Sequence, residues 1–79
     1  MATAKSEEEW AERARVFLKA ELQKAEVTYQ ELAKRLKKHG LTETEASITN
    51  KLKRGTFQAT FFLASLRAIG VESVRLEDV

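Results

Sequence analysis

The sequence predicts an all-α fold, and three observations support this prediction. Ser or Thr stands three residues before Glu in three places, and each such pair can satisfy backbone N–H groups at a helix N-terminus. Proline is absent, and the three glycines fall where helices would end. Apolar residues between these signals repeat at helical spacing. We therefore expect one domain, residues 1–79, folded as a bundle of four to five helices.

The capping signals divide the chain into four helices. The Ser/Thr–Glu pairs are Ser6 with Glu9, Thr28 with Glu31, and Thr42 with Glu45, and Thr56 supplies a fourth start. Glycines at positions 40, 55 and 70 mark the ends of the last three helices. The predicted helices are Glu7–Ala25, Tyr29–His39, Glu43–Arg54 and Phe57–Ile69. The alternating tail VESVRLEDV predicts a short strand or a half-turn.

The core is expected to be rich in aromatic side chains. The first helix carries an apolar stripe that runs from Trp10 to Ala25, and the fourth helix is apolar on nearly every side. We assign these rings to packing rather than to cofactor binding or base stacking. The predicted aromatic core consists of Trp10, Phe17, Phe57, Phe61 and Phe62.

Charge is distributed unevenly along the chain, although the net charge is only +2. Residues 1–12 contain four glutamates against one lysine, whereas residues 34–54 contain seven basic residues against two acidic ones. Such a dipolar surface suits a polyanion on one face. Basic patches on small domains also serve solubility alone, so charge by itself leaves the function open.

The second and third predicted helices are joined by a short turn. Only Gly40, Leu41 and Thr42 lie between them in the predicted boundaries. Two helices joined so closely cross at a steep angle, which is typical of a helix-turn-helix. In that motif the second helix is presented outward to the DNA major groove.

The outward face of the third helix has the chemistry that base recognition requires. Ile48 and Leu52 point towards the core, and short polar and basic residues occupy the opposite side. Asn pairs with adenine, Arg with guanine, Ser with several bases, and Ala contacts the thymine methyl group. The predicted base-contacting residues are Ser47, Asn50, Arg54 and Ala46, with Lys53 and the more lateral Lys51 assigned to phosphates.

The basic residues at the helix ends have a second explanation. Lys53 and Arg54 stand just before Gly55, and Lys37 and Lys38 just before Gly40. Cations at a helix C-terminus stabilise the helix by a few tenths of a kcal/mol through the macrodipole. Both explanations hold together, because the same cations can contact phosphates when DNA is present.

The stretch from Leu18 to Val71 resembles the lambda-repressor-like, or Xre/Cro-type, helix-turn-helix family. The similar pieces are VTYQELAKRL, the turn GLT, NKLKRG and FFLASLRAIGV. The sequence is also similar to a set of small bacterial proteins known only as a domain of unknown function. The resemblance covers about two-thirds of the chain, and its motifs are degenerate.

The resemblance implies further DNA contacts and a regulatory role. By position, Thr28, Tyr29 or Gln30 would meet the phosphate backbone at the N-terminus of the second helix, where an anion is favoured. The family implies double-stranded DNA as partner, transcription regulation and a candidate homodimer. The acidic, aromatic first helix and the alternating tail are alternative dimer surfaces.

An enzyme is not expected from this sequence. The sole histidine, His39, lies at a helix end among lysines, and no His/Cys cluster or phosphate-binding glycine loop is present. We therefore expect no cofactor, metal or small-molecule ligand. The absence of cysteine and of a long apolar run predicts a cytoplasmic protein without a membrane span.

Two other binding functions remain open at this stage. The first is a protein–protein interaction module that keeps the helix-turn-helix scaffold without binding DNA. The second, weaker alternative is RNA binding, for which no aromatic stacking platform is evident outside the predicted core.

Overall fold

Four α-helices and a short 3₁₀ turn form the fold. A computed structural model describes residues 4–79. No strand occurs within this range, so the all-α prediction is confirmed and the tail forms a half-turn at Leu76–Asp78. The helices are α1 (Glu7–Ala25), α2 (Tyr29–Lys37), α3 (Glu45–Arg54) and α4 (Ala59–Ala68).

Each helix is followed by a residue in the left-handed conformation. These residues are Glu26, Gly40, Gly55 and Gly70. After three of the helices, the N–H of the residue that follows the left-handed one bonds to the carbonyl five residues before it, as in a Schellman motif. The three bonds join Val27 N to Leu22 O, Leu41 N to Leu36 O, and Val71 N to Leu66 O, at 3.0 Å each. The predicted glycine stops are thus confirmed.

The helix starts agree with the sequence prediction at α1 and α2 only. Ser6 Oγ accepts a hydrogen bond from Glu9 N, and Thr28 Oγ1 accepts one from Glu31 N. The predicted cap of α3 at Thr42 is wrong, because Thr44 and Ser47 form a reciprocal capping box two residues later. A serine at the third helical position replaces the glutamate that the prediction required.

The start of α4 also differs from the prediction. The helix begins at Ala59 after Gln58, which makes no side-chain cap, so the predicted start at Thr56 and Phe57 is wrong. Phe57 precedes the helix and packs edge-on against Phe61, with ring centroids 5.4 Å apart. Gln58, the last residue before the helix, has an extended backbone with φ −68° and ψ 150°.

The connection between α2 and α3 is longer than the sequence predicted. Regular α-helix ends at Lys37, and the hydrogen bonds of the next three N–H groups span only three residues, which tightens the chain up to Gly40. Together with the later cap of α3, this leaves residues 38–44 outside both helices. α2 and α3 pack against each other, and their role as a helix-turn-helix stays a prediction.

The core is mainly aliphatic, with Phe61 as its fully buried ring. The prediction for Trp10 is wrong: its side chain is 48% exposed, and the guanidinium of Arg13 lies 5.7 Å from the ring centroid. Leu63 is 64% exposed, so α4 is not buried on all sides. The core cluster comprises Leu18, Leu22, Val27, Leu32, Leu36, Ile48, Leu52, Phe61 and Leu66.

α1 and α2 each pack against both α3 and α4. Arg35 of α2 donates a hydrogen bond to the carbonyl of Ala68, at the C-terminus of α4, over 3.3 Å. The radius of gyration is 12.2 Å, close to the roughly 11.6 Å expected for a compact chain of this length. None of the helices between residues 4 and 79 has the length and apolar character needed to cross a membrane.

Gly55 allows α1 and α3 to approach closely. Its φ is +76°, and a Cβ added there would lie 2.6 Å from the backbone carbonyl oxygen of Ala11. Because that oxygen belongs to the α1 backbone, only a shift of α1 would relieve the contact. The end of α3 is therefore fixed against α1.

We expect Gly55→Ala to destabilise the fold by about 2–4 kcal/mol, because the left-handed conformation and the steric contact both add to the cost. Gly40→Ala is the matched control, since Gly40 has φ +86° with nothing within 4 Å of the added Cβ. It should cost only about 1 kcal/mol. Urea unfolding measures both values, and equal losses would contradict the importance of the α1 contact.

Candidate functional site

α3 buries one face and exposes the opposite one. Ile48 is fully buried and Leu52 is 2% exposed, which fixes the rotation of the helix about its axis. At 100° per residue, Asn50 lies opposite this buried pair. We call the exposed residues around it the outward face of α3, which consists of Ala46, Asn50, Lys53 and Arg54.

The polar side chains of this outward face have no hydrogen-bonding or ionic partner in the described part of the chain. Within residues 4–79, Asn50, Lys53 and Arg54 form neither a side-chain hydrogen bond nor an ion pair. An amide, an ammonium and a guanidinium group therefore project from the surface together. The arrangement offers donors for bases and cations for phosphates.

Glu43 binds two residues on the flank of α3. Its Oε1 accepts a hydrogen bond from the Ser47 hydroxyl at 2.6 Å, and its Oε2 lies 2.6 Å from the Lys51 ammonium. Ser47 Oγ in turn accepts from the backbone N–H of Thr44 at 2.8 Å. The carboxylate thus connects the capping box at the start of α3 to a residue in its last turn.

The pKa of the Glu43 carboxyl is lowered from its ordinary value. Burial acts to raise the pKa, but hydrogen bonds from Lys51 and Ser47 and the charge of Lys51 together outweigh it. The Glu43 side chain is 9% exposed and that of Lys51 is 27% exposed, so solvent screens this pair less than a surface pair. Glu43 is therefore held ionised at neutral pH.

Lys51 is also positioned by an aromatic ring. Its ammonium lies 5.3 Å from the centroid of the Phe61 ring in the core. Ser47 and Lys51 are therefore both engaged within the chain, on the side of α3 next to the outward face. Their predicted contacts with a base and a phosphate stay predictions.

The N-terminus of α2 presents two of its three predicted phosphate contacts to solvent. Thr28 and Gln30 are exposed, and Thr28 caps the helix through its hydroxyl. Tyr29 is half-buried and packs against the core cluster. The backbone at this terminus suits an anion, and the roles of the three residues stay predictions.

An acidic segment borders the basic end of the outward face. A groove of about 640 Å³ separates the first turns of α1 from the end of α3. Glu7, Glu8, Glu12 and Arg15 line this groove from α1, and Lys53 and Arg54 line it from α3; Arg15 forms an ion pair with Glu12. The acidic N-terminal segment and the basic middle of the sequence thus lie beside each other in space.

Sequence reasoning missed the role of Glu43. The predicted helix begins at Glu43, whereas in the structure Glu43 precedes the cap and its carboxylate contacts Ser47 and Lys51. Positions 43, 47 and 51 are spaced by four, which places such residues on one side of a helix and is a usable signal. Among the described residues, no group of three or more His, Cys, Asp or Glu side chains is arranged to hold a metal ion.

A family model described as a domain of unknown function (DUF6471) matches residues 10–74. The match covers most of the chain, which therefore belongs to this family. No curated protein and no solved structure matches the chain significantly. The resemblance to proteins with a domain of unknown function is confirmed, and the Xre/Cro-type assignment stays a prediction.

We expect Glu43→Gln to destabilise the protein by about 1–2 kcal/mol at pH 7, because Lys51 loses its charged acceptor. The lowered pKa means that ionised Glu43 stabilises the fold above its ordinary pKa, and that this contribution is lost as pH falls through the lowered value. The variant should therefore lose less stability than wild type on acidification. Urea unfolding across the acidic range measures this difference.

Glu72→Gln is the matched control for this experiment. Glu72 is exposed and makes no side-chain hydrogen bond or ion pair within residues 4–79. Its substitution should change stability by no more than about 0.5 kcal/mol. An identical pH dependence for Glu43→Gln and wild type would contradict the role of the carboxylate.

Proposed function

We propose that this chain is a small cytoplasmic transcription regulator that binds double-stranded DNA through the outward face of α3. The observation that supports the proposal best is the composition of that face. Asn50 lies opposite the buried residues, and the cations Lys53 and Arg54 lie beside it with no intramolecular partner in the described chain. α2 and α3 would then act as a helix-turn-helix of the Xre/Cro type.

The contacts divide into base recognition and phosphate binding. Asn50 can donate and accept towards an adenine edge, Arg54 can pair with guanine, and Ala46 can contact a thymine methyl group. Lys53 neutralises a phosphate, and the exposed Thr28 and Gln30 at the start of α2 contact the backbone. These roles give both sequence discrimination and salt-dependent affinity.

Ser47 and Lys51 have positioning roles in this proposal. Glu43 holds both side chains, so they fix the first and last turns of α3 relative to the segment before it. A recognition helix must keep its register in the groove, because base contacts depend on sub-ångström placement. The chain contributes binding rather than catalysis, and the proposal involves no cofactor.

A protein–protein interaction module is the second candidate function, and one observation favours it. Trp10 is half-exposed beside a groove that Phe57 and Phe62 also line. Exposed tryptophan next to apolar surface is typical of protein-binding sites. A partner bound there would depend on Trp10 and not on the cations of α3.

The proposal is tested by fluorescence anisotropy of a labelled generic duplex at about 50 and 200 mM salt. Each phosphate that a Lys or Arg side chain neutralises should cost roughly threefold to fourfold in affinity over this range. Lys53→Ala/Arg54→Ala should weaken binding about tenfold or more at the lower salt. It should also reduce the log–log salt slope by about one, because Lys53 is the phosphate contact of the pair.

Lys19→Ala/Arg67→Ala is the matched control, because it removes the same charge from exposed positions on α1 and α4. It should bind DNA nearly as well as wild type. If wild type does not bind at the lower salt, or if both double variants bind equally, the DNA-binding proposal is wrong. Capture of a partner protein that requires Trp10 would then favour the interaction module.

The acidic segment beside the outward face should oppose DNA binding. Glu7→Gln/Glu8→Gln removes two negative charges across the groove from Lys53 and Arg54. We expect a threefold to tenfold gain in affinity, on the order of what one or two screened charges contribute, with a smaller gain at the higher salt. The same anisotropy assay measures it.

Glu72→Gln/Glu77→Gln removes the same charge from the C-terminal tail and serves as the control. An equal gain in both double variants would show that only net charge matters. In that case the location of the acidic segment has no specific effect on DNA binding.

A further inference from the structure

We propose that the groove between the first turns of α1 and the start of α4 binds an arginine-rich segment of a partner protein. A guanidinium group of that segment lies against aromatic side chains, and Glu7 is its counter-charge. We call this surface the aromatic groove, and Trp10, Ala14, Phe57 and Phe62 line it. The proposal rests on the interaction-module function, for which it names the chemistry of the partner, and it does not depend on DNA binding.

The aromatic groove is an open apolar surface. Its volume is about 530 Å³, within the range of sites that bind drug-sized ligands. Phe57 and Phe62 are partly buried and stack with their ring centroids 5.9 Å apart, whereas Trp10 is 48% exposed. Three aromatic side chains thus border an opening that is larger than a single cationic group requires. A peptide segment, which brings neighbouring residues with the cation, therefore fits this groove better than a simple ion.

A contact between a guanidinium group and Trp10 already exists beside this groove. Arg13 Cζ lies 5.7 Å from the centroid of the Trp10 ring, which is a cation–π distance. Arg13 lines the groove between α1 and the tail but does not line the aromatic groove. The part of Trp10 that lines the aromatic groove is thus open to a second cation. Arginine suits this place better than lysine, because its guanidinium is planar, stacks on aromatic rings and is weakly hydrated.

The charge beside the aromatic groove is negative. Among the described residues that line it, Glu7 is the one charged side chain. Glu9 accepts a hydrogen bond from the Lys5 N–H at 3.0 Å, but Glu7 and Glu8 have no hydrogen-bonding or ionic partner within residues 4–79. The macrodipole of α1 places only roughly half a positive charge at this end, so two carboxylates exceed it. A cationic partner supplies the missing counter-charge.

The cations of α3 do not occupy this place. Lys53 and Arg54 line the neighbouring groove but not the aromatic groove, and neither forms an ion pair with Glu7 in the described part of the chain. Glu7 borders both grooves. Removal of its charge should therefore weaken binding of the partner and strengthen binding of DNA, so the two surfaces respond in opposite directions.

The first test uses the fluorescence of Trp10, the sole tryptophan of the chain. The probe is a blocked octapeptide of alternating arginine and glycine, added to the full chain without DNA. The Trp10 emission should change saturably, with half-saturation below about 1 mM, the weak range expected of a short segment. The same peptide with citrulline in place of arginine keeps the shape without the charge. Both this peptide and spermidine, which has amines but no guanidinium, should bind roughly tenfold more weakly.

The second test fills the aromatic groove from within the chain. Ala59 is the exposed first residue of α4 and lines the groove, so Ala59→Arg places a guanidinium of the chain itself there. This variant should lose binding of the arginine peptide. Thr60→Arg is the matched control, because it adds the same charge at the next position, which is exposed and does not line the groove. It should bind within about twofold of wild type.

The third test removes the two groups that would recognise the cation. Glu7→Gln should weaken binding about threefold, as expected of a partly screened ion pair, whereas Glu72→Gln on the tail should leave it unchanged. Trp10→Ala should weaken binding about tenfold or more, measured by the anisotropy of a labelled arginine peptide. Circular dichroism of each variant checks that the helices are retained.

The proposal is wrong if the arginine peptide produces no saturable change, if citrulline peptide or spermidine binds equally well, or if Ala59→Arg binds like Thr60→Arg. It is also wrong if the Trp10 emission shifts with protein concentration alone, since a second copy then occupies the groove. Tighter binding of the citrulline peptide would overturn the cationic partner and leave the interaction-module function standing. Because these measurements contain no DNA, their failure leaves the DNA-binding proposal unaffected.

Discussion

The fold depends on how its helices end. Three times, a residue in the left-handed conformation reverses the chain, and the N–H of the following apolar residue bonds to the carbonyl of the leucine five positions before it. Leu36 and Leu41 are joined in this way at Gly40, with a hydrogen bond of 3.0 Å from the Leu41 N–H to the Leu36 carbonyl. Helices of nine or ten residues are marginal in isolation, so their stability comes from the packing that these reversals enforce. Each reversal donates hydrogen bonds to carbonyl groups that have no partner within their helix. It also adds an apolar residue to the core or to its edge.

The position of α3 depends on its end at Gly55 and also on the ionised carboxylate of Glu43. Gly55 closes the helix against the backbone of α1, and Glu43 ties the helix start to Lys51. The two buried residues, Ile48 and Leu52, then set the rotation of α3. These contacts fix the backbone of α3 that carries the outward face. Rigidity of this kind is what a base-reading helix requires, because direct readout depends on fixed donor and acceptor positions.

The outward face and the groove lined by α1 and the C-terminal tail occupy different elements. The outward face belongs to α3, whereas the groove is formed by α1 and residues 73–79. Each surface can therefore be altered by substitutions that leave the other intact. Glu12 links the two regions, since it lines both the groove beside Lys53 and Arg54 and the groove beside the tail. The first turns of α1 lie beside the basic end of α3, and the middle of the same helix lines the groove shared with the tail.

The sequence by itself determined the all-α class, the extent of α1 and the glycine ends of α2, α3 and α4. Local chemistry dictates these features, since capping hydroxyls and left-handed residues act within a few positions along the chain. The sequence also identified Asn50 and Arg54 as outward residues, because Ile48 and Leu52 define the buried side of α3. The start of α3 was missed, since Thr42 and Thr44 are both acceptable caps and the choice follows from the contacts of Ser47 and Glu43. Only the tertiary structure decided that Trp10 stays half-exposed, that the acidic and basic segments lie side by side, and that α1 and the tail share one groove. These features depend on which helix faces which, and contacts between residues distant in sequence are not encoded in any local pattern.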